Sequence, residues 1–267
     1  MNAGVLGSIV AATRERLHQR KREFPIERVL ALAPTPGARR PFGHALCEPG
    51  RVNVIGEFKR RSPSRGVIRE DLHPVTVAQG YEVAGAAALS VLTDEALFGG
   101  QLQDLQEARA ATLLPTLRKD FIVDAYQIRE AWIAGADAVL LIAAVLDDGE
   151  LRELARVALE LGLEALVEVH DAGELERALK CGALLVGVNN RDLRTMEVRL
   201  ETALELAPRI PDEVVAVAES GIRSGEDVQR LRDAGYDAFL IGEQLMRSKD
   251  PGRALEELLR DAAEAVA

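Results

Sequence analysis

Cysteine is nearly absent: the 267 residues hold two, Cys47 and Cys181, in no CxxC spacing. Two isolated thiols exclude a disulfide-stapled scaffold and a thiolate metal site, and they suit a reducing compartment. Histidine is scarce as well, and His18, His44, His73 and His170 are too scattered to form a metal motif. No long apolar run occurs; the longest, residues 138–146, has nine residues, less than half of the roughly 20 that a membrane-spanning helix needs. The N-terminus has no basic segment followed by an apolar stretch, so no signal peptide is expected. Positive charge is in deficit, 33 Lys and Arg against 43 Asp and Glu for a net −10, and it is scattered, which argues against a nucleic-acid footprint. Neither GxGxxG nor GxxxxGK[ST] follows the first strand candidate, where KRRSPSRG stands instead, which disfavours an open nucleotide-binding sheet.

What is present is a recurring phrase, a helix-like stretch ending in glycine and followed at once by a short apolar run: AGAAALSVL (84–92), AGADAVLLI (134–142), CGALLVGVN (181–189) and AGYDAFLIG (234–242). It reads as a helix, a glycine cap and a buried strand. Apolar runs place strands near 52–58, 88–92, 115–119, 137–142, 164–168, 184–189, 214–219 and 238–241, with helical patterns between them at 124–133, 150–161, 174–180 and 227–234. Strand alternating with helix predicts a parallel sheet, and a count of eight favours a closed (β/α)8 TIM barrel, an α/β fold, over an open doubly wound sheet. Residues 1–45, with a charged helical stretch at 14–23 and a Pro-rich segment at 34–41, read as an N-terminal helical extension and linker, and residues 46–267 as the catalytic barrel.

The first strand starts apolar and ends in Glu57 and Lys59, which alternation puts on one face. A surface ion pair would explain that strand alone. Lys119, Glu168, Asn189 with Arg191, and Glu219 with Ser220 end four more strands, however, and in such a barrel strand ends form the active face. Lysine and glutamate are the acid and base candidates, with burial expected to push lysine down and glutamate up. Glycine and serine after strands seven and eight, Ser220-Gly221 and Gly242, with Ser62 from the first loop, suit a phosphate site at helix starts. Alternatively these glycines only permit tight turns.

Together EFKRRSPS (57–64), VLTD (91–94), LRKDF (117–121), VEVH (167–170), NNRDL (189–193), AESGI (218–222) and IGE (241–243) resemble the indole-3-glycerol phosphate synthases, in order over residues 40–260. The resemblance implies a lyase that closes the pyrrole ring of 1-(2-carboxyphenylamino)-1-deoxyribulose 5-phosphate with loss of carbon dioxide and water, needing no cofactor and no metal. It implies that Lys119 is the general acid and Glu168 the general base, and that Lys59, steadied by Glu57, holds the substrate carboxylate. Asn189 and Glu219 join the polar network, Arg191 supports it, and Ser62, Ser220, Gly221 and Gly242 bind phosphate. Phe121 is a candidate to pack on the aromatic ring. Glu243 departs from the serine many such phosphate loops carry and would repel phosphate unless it points away. The extension is expected to help cover the mouth.

A Schiff-base aldolase using Lys119 and a non-catalytic phosphate-binding barrel are the alternatives. The expected partner is a small phosphorylated molecule, not nucleic acid or a membrane, and the protein is expected to be a cytoplasmic monomer or weak homo-oligomer.

Overall fold

The computed structural model describes residues 5–31, 38–63, 65–193 and 195–264. Residues 34–37 of the Pro-rich segment and Ser64 of the EFKRRSPS motif lie outside them. Eight parallel strands, β1 (Asn53–Phe58), β2 (Ala88–Leu92), β3 (Thr116–Lys119), β4 (Ala138–Ile142), β5 (Glu164–Val169), β6 (Leu185–Asn189), β7 (Val215–Glu219) and β8 (Ala238–Ile241), each pair with the next, and β8 returns to β1 to close the barrel. All eight apolar runs become strands, with bounds within a residue of the expectation. The recurring phrase has the physical basis read into it: Gly85 and Gly135 end helices Pro74–Ala84 and Ala125–Ala134 in the left-handed conformation, which favours glycine.

Two apolar layers result from strand alternation. Inward-facing Ile55, Ala88, Leu117, Leu140, Leu166, Leu185, Val217 and Leu240 fill the barrel, while Val54, Leu89, Val139, Val167, Val186 and Phe239 face the surrounding helices. The short helix Phe42–Ala45, which periodicity does not reveal, closes the bottom. Phe42 and Leu46 are fully buried in the inner layer, and Asn53 Nδ2 donates to the Leu46 carbonyl at 2.8 Å.

The charged stretch at 14–23 belongs to a longer helix, Val5–Glu23. Its apolar first half was not legible as helix, because those side chains serve the barrel: Leu6 and Ile9 pack on the inner layer. Its charged half is tied by Arg16 to Asp94 at 2.9 Å and by Arg20 to Glu130 at 3.2 Å. The loop after β1 forms an unexpected two-stranded antiparallel ribbon, Arg61–Ser62 with Gly66–Val67. Among the described residues no helix is long and apolar enough to cross a membrane.

Candidate active site

Along β1 the inward row runs Asn53, Ile55, Glu57, and the same period on other strands ends in Lys119, Glu168, Asn189 and Glu219. These side chains therefore form the layer above the apolar filling, at the C-terminal mouth. A cavity there is lined by Glu57, Lys59, Ser62, Lys119, Phe121, Glu168, Asn189, Arg191, Glu219, Ser220 and Gly242. Leu6 and Ile9 of the N-terminal helix complete it. Eleven of the twelve site candidates converge on this lining. Gly221 does not reach it; left-handed at φ +81°, it turns towards Val198. Ser220 before it is also left-handed, at φ +65°, a conformation that costs a non-glycine residue on the order of 1–3 kcal/mol and clusters at functional sites.

Lys119 is the hub. Its Nζ lies 2.7 Å from Glu168 Oε2 and 3.1 Å from Glu219 Oε2. Asn189 Nδ2 donates to Glu168 Oε1 at 3.1 Å, and Asn189 Oδ1 accepts from the Arg191 backbone N–H at 3.0 Å. Lys59 Nζ pairs with Glu57 Oε1 at 2.7 Å.

The expected direction of the proton affinities is corrected for two of the three central groups. Burial pulls Lys119 down, but the facing carboxylates of Glu168, Glu219 and Glu57 outweigh it and hold the ammonium well above the usual lysine range. Burial pushes Glu168 up, but Lys119 and His170 together hold it well below the ordinary carboxylate range. Only Glu219 follows the expectation: burial, with the Glu168 charge, overrides Lys119 and pushes it up to about 7. Two neighbouring carboxylates that share one cation separate in this way because only one can be the favoured anion.

Two glycines make the packing possible. A Cβ on Gly187 would fall 2.1 Å from Glu219 Oε1, and one on Gly242 would fall 2.2 Å from Glu57 Oε1 and 2.8 Å from its Cβ. Gly242→Ala is thus expected to displace Glu57 from Lys59. We expect kcat/KM to fall about 10–100-fold, since an ångström of misplacement costs that much, with a stability loss of about 1–3 kcal/mol from overpacking. Steady-state kinetics identical to wild type would show that the Glu57–Lys59 geometry is not needed.

Glu243 does not point away, as its charge had suggested it must. It lines the mouth, with Oε1 3.1 Å from Arg65 Nε and Oε2 3.4 Å from an Arg191 guanidinium nitrogen. Two guanidiniums offset its charge and are themselves held at the rim. Glu243 was left out of the site because its charge would repel phosphate, and Arg65, in the loop after β1, was not chosen. His170 was passed over as a scattered histidine, yet its Nε2 is 3.3 Å from Glu168 Oε1.

A closed parallel barrel whose mouth gathers a cationic lysine, an ionised glutamate, a second carboxyl near neutrality and further lysine, arginine and serine side chains has the layout of a (β/α)8-barrel enzyme of acid–base chemistry. Solved structures share the fold: a thiamine phosphate pyrophosphorylase from Pyrococcus furiosus at 19% identity and TM-score 0.60, over 81% of this chain and 98% of that one, and a mandelate oxidase variant at 16% identity and TM-score 0.63, over 91% and 86%. The profile of the indole-3-glycerol phosphate synthase family matches residues 6–258. Enzymes of that name from Acidithiobacillus ferrooxidans and Variovorax paradoxus are 50% and 48% identical, each over 96% of this chain and 99% of the relative. The chain belongs to the indole-3-glycerol phosphate synthase family.

Proposed function

We propose that this protein converts 1-(2-carboxyphenylamino)-1-deoxyribulose 5-phosphate to indole-3-glycerol phosphate, with loss of carbon dioxide and water, and that the mouth residues divide the work as follows. The observation that carries the reading is the Lys119 ammonium held between Glu168 and Glu219. Ring closure joins an electron-rich aryl carbon to a ketone, and the ketone oxygen must gain protons as it becomes hydroxyl and then water. A lysine held in its charged form is the donor such a step needs, and with its side chain only 12% exposed its charge also steadies negative charge developing on that oxygen. Glu168, ionised, takes the proton lost when the indole forms. Glu219 and Asn189 hold the hydroxyls between them.

Binding folds the substrate back on itself. Lys59 and Arg191 suit the carboxylate, and Ser62, Ser220 and the Gly242 turn, which line the cavity, suit the phosphate at the other end. Pinning both ends converts an improbable chain conformation into the reactive one, and this kind of positioning is among the largest contributions available to a catalyst. Phe121 and Leu140 supply an apolar wall for the aromatic ring. Schiff-base chemistry at Lys119 runs against its surroundings, because three carboxylates disfavour the neutral amine that would attack. The unpaired Cys47 and Cys181 support a reducing, cytoplasmic setting.

The test is the appearance of indole fluorescence when purified protein meets the carboxyphenylamino deoxyribulose phosphate. Growth of the signal is expected; a folded protein that leaves the solution dark overturns the reading.

A further inference from the structure

The ring closure proposed above, on which this inference rests, has a proton balance that one acid and one base do not close. The substrate carboxylate departs as neutral carbon dioxide, and its bonding pair passes into the ring. The ketone oxygen departs as water and so gains two protons. Only one proton is recovered, from the carbon that becomes position 2 of the indole. One proton per turnover therefore has to come from water, while substrate occupies the mouth above Lys119.

The structure holds a second way in. Glu168 Oε2 faces Lys119, and its Oε1 faces His170 Nε2 at 3.3 Å. His170 Nδ1 lies 3.0 Å from Glu174 Oε2. His170 and Glu174 line a second cavity beside the mouth, which among the described residues shares with it only Leu6, Asn189 and Leu193. His170 Nε2 is buried and meets Glu168 Oε1 at ion-pair distance without an aligned hydrogen bond, so a small turn of the ring is what brings its N–H into line with that oxygen. The ring is oriented from the Glu174 side, where the Glu174 carboxylate also accepts from the His170 backbone N–H at 2.8 Å.

We propose that His170 and Glu174 form a proton intake from the second cavity to the Glu168–Lys119 pair. After Lys119 has given a proton to the substrate oxygen, the His170 Nε2–H bond breaks as an O–H bond forms on Glu168 Oε1. The neutral Glu168 carboxyl turns so that this O–H reaches the Lys119 amine and gives its proton there, which restores the carboxylate, and the bare Nε2 regains a proton from water of the second cavity as the imidazole swings on its Cα–Cβ bond and returns to Glu174. The charged groups facing His170 are Glu168 and Glu174, with Lys119 beyond Glu168, and Asp171, Asp192, Glu197, Arg199, Glu205 and Arg209 line the same cavity. Burial pulls the imidazole down, but Glu168 and Glu174 push it up to about 10, so its resting form is the donor form. His170 acts through Glu168 and is a positioning and relay residue.

The test is the single-turnover rate of His170→Gln and Glu174→Gln, with and without added imidazole buffer. We expect a fall of about tenfold or more, unchanged substrate affinity, and recovery in proportion to the imidazolium concentration, while wild type ignores it. Wild-type rates in both variants, or a fall that imidazolium does not relieve, overturn the intake. Should His170→Gln fail to fold, Glu174→Gln carries the same test, since its amide oxygen still accepts from the His170 backbone. An inactive wild type overturns the ring closure itself, whereas an active wild type with indifferent variants overturns the intake alone.

Discussion

Lys119→Met is expected to lower the single-turnover rate of ring closure by at least about 10³-fold, the upper part of what a positioned acid contributes, while fluorescence titration still shows substrate binding. The side chain lost is both proton donor and cation. Lys119→Arg separates the two, because a guanidinium keeps the charge between Glu168 and Glu219 yet does not release its proton at any ordinary pH. Both variants are therefore expected to be nearly inactive. An Arg variant within about tenfold of wild type would mean that Lys119 supplies charge alone, and the acid would have to be sought in Glu219.

Stability divides the same two variants. Without a cation, the buried Glu168 and Glu219 keep the fold by taking up a proton. Glu219, already at about 7 beside Lys119, is held higher still once that cation is gone. A carboxyl with greater proton affinity folded than unfolded stabilises the fold at low pH, and that contribution is lost as pH rises through the folded value. Lys119→Met should thus melt closer to wild type at about pH 6 than at about pH 8. Lys119→Arg should show no such divergence.

Much of the architecture was legible because five helix-to-strand junctions repeat one physical phrase, a left-handed glycine, at positions 85, 135, 162, 182 and 235, between a helix and a buried strand. Five of the eight strand ends could be read from a related pattern: a polar or ionisable residue that continues an inward apolar row belongs either in a mouth or nowhere. The remainder was hidden where a residue's setting depends on partners that only the folded chain brings together. Glu243 looked hostile to phosphate because Arg65 and Arg191 are 178 and 52 residues away. His170 looked isolated because Glu168, two residues before it, has to be placed before its neighbour acquires a role. Phe42 looked like linker, although it closes the barrel floor. The proton affinities were misjudged from burial alone, since three carboxylates around one lysine reverse what burial would do.

Arg118 is the largest such omission, and removing it is expected to have the largest effect on stability. Alternation puts it on the opposite face from Lys119, against the helices, where its side chain is only 2% exposed. There Nη2 lies 2.8 Å from Asp120 Oδ2, Nη1 lies 3.4 Å from Glu130 Oε2 and donates to the Gln127 carbonyl at 2.7 Å, and Nε donates to Thr93 Oγ1 at 3.1 Å. Glu130 also receives Arg20 from the N-terminal helix, and the Asp120 carboxylate accepts from the Phe121 backbone N–H at 2.8 Å. One guanidinium therefore joins the strand that bears Lys119, the loop that carries Phe121 and the helix that meets the N-terminal arm. Arg118→Met fills much of the volume but strands Asp120 in a buried site without its cation. Breaking one partner of a buried pair in this way costs about 3–5 kcal/mol, or roughly 6–20 °C of melting temperature in a domain of this size. Arg118→Lys is expected to recover only part of the loss, because an ammonium cannot span the forked arrangement. Thermal unfolding by circular dichroism decides the matter: a loss under about 1 kcal/mol in Arg118→Met would show that the network is no stronger than a surface pair, and that the mouth is held in shape by its apolar packing alone.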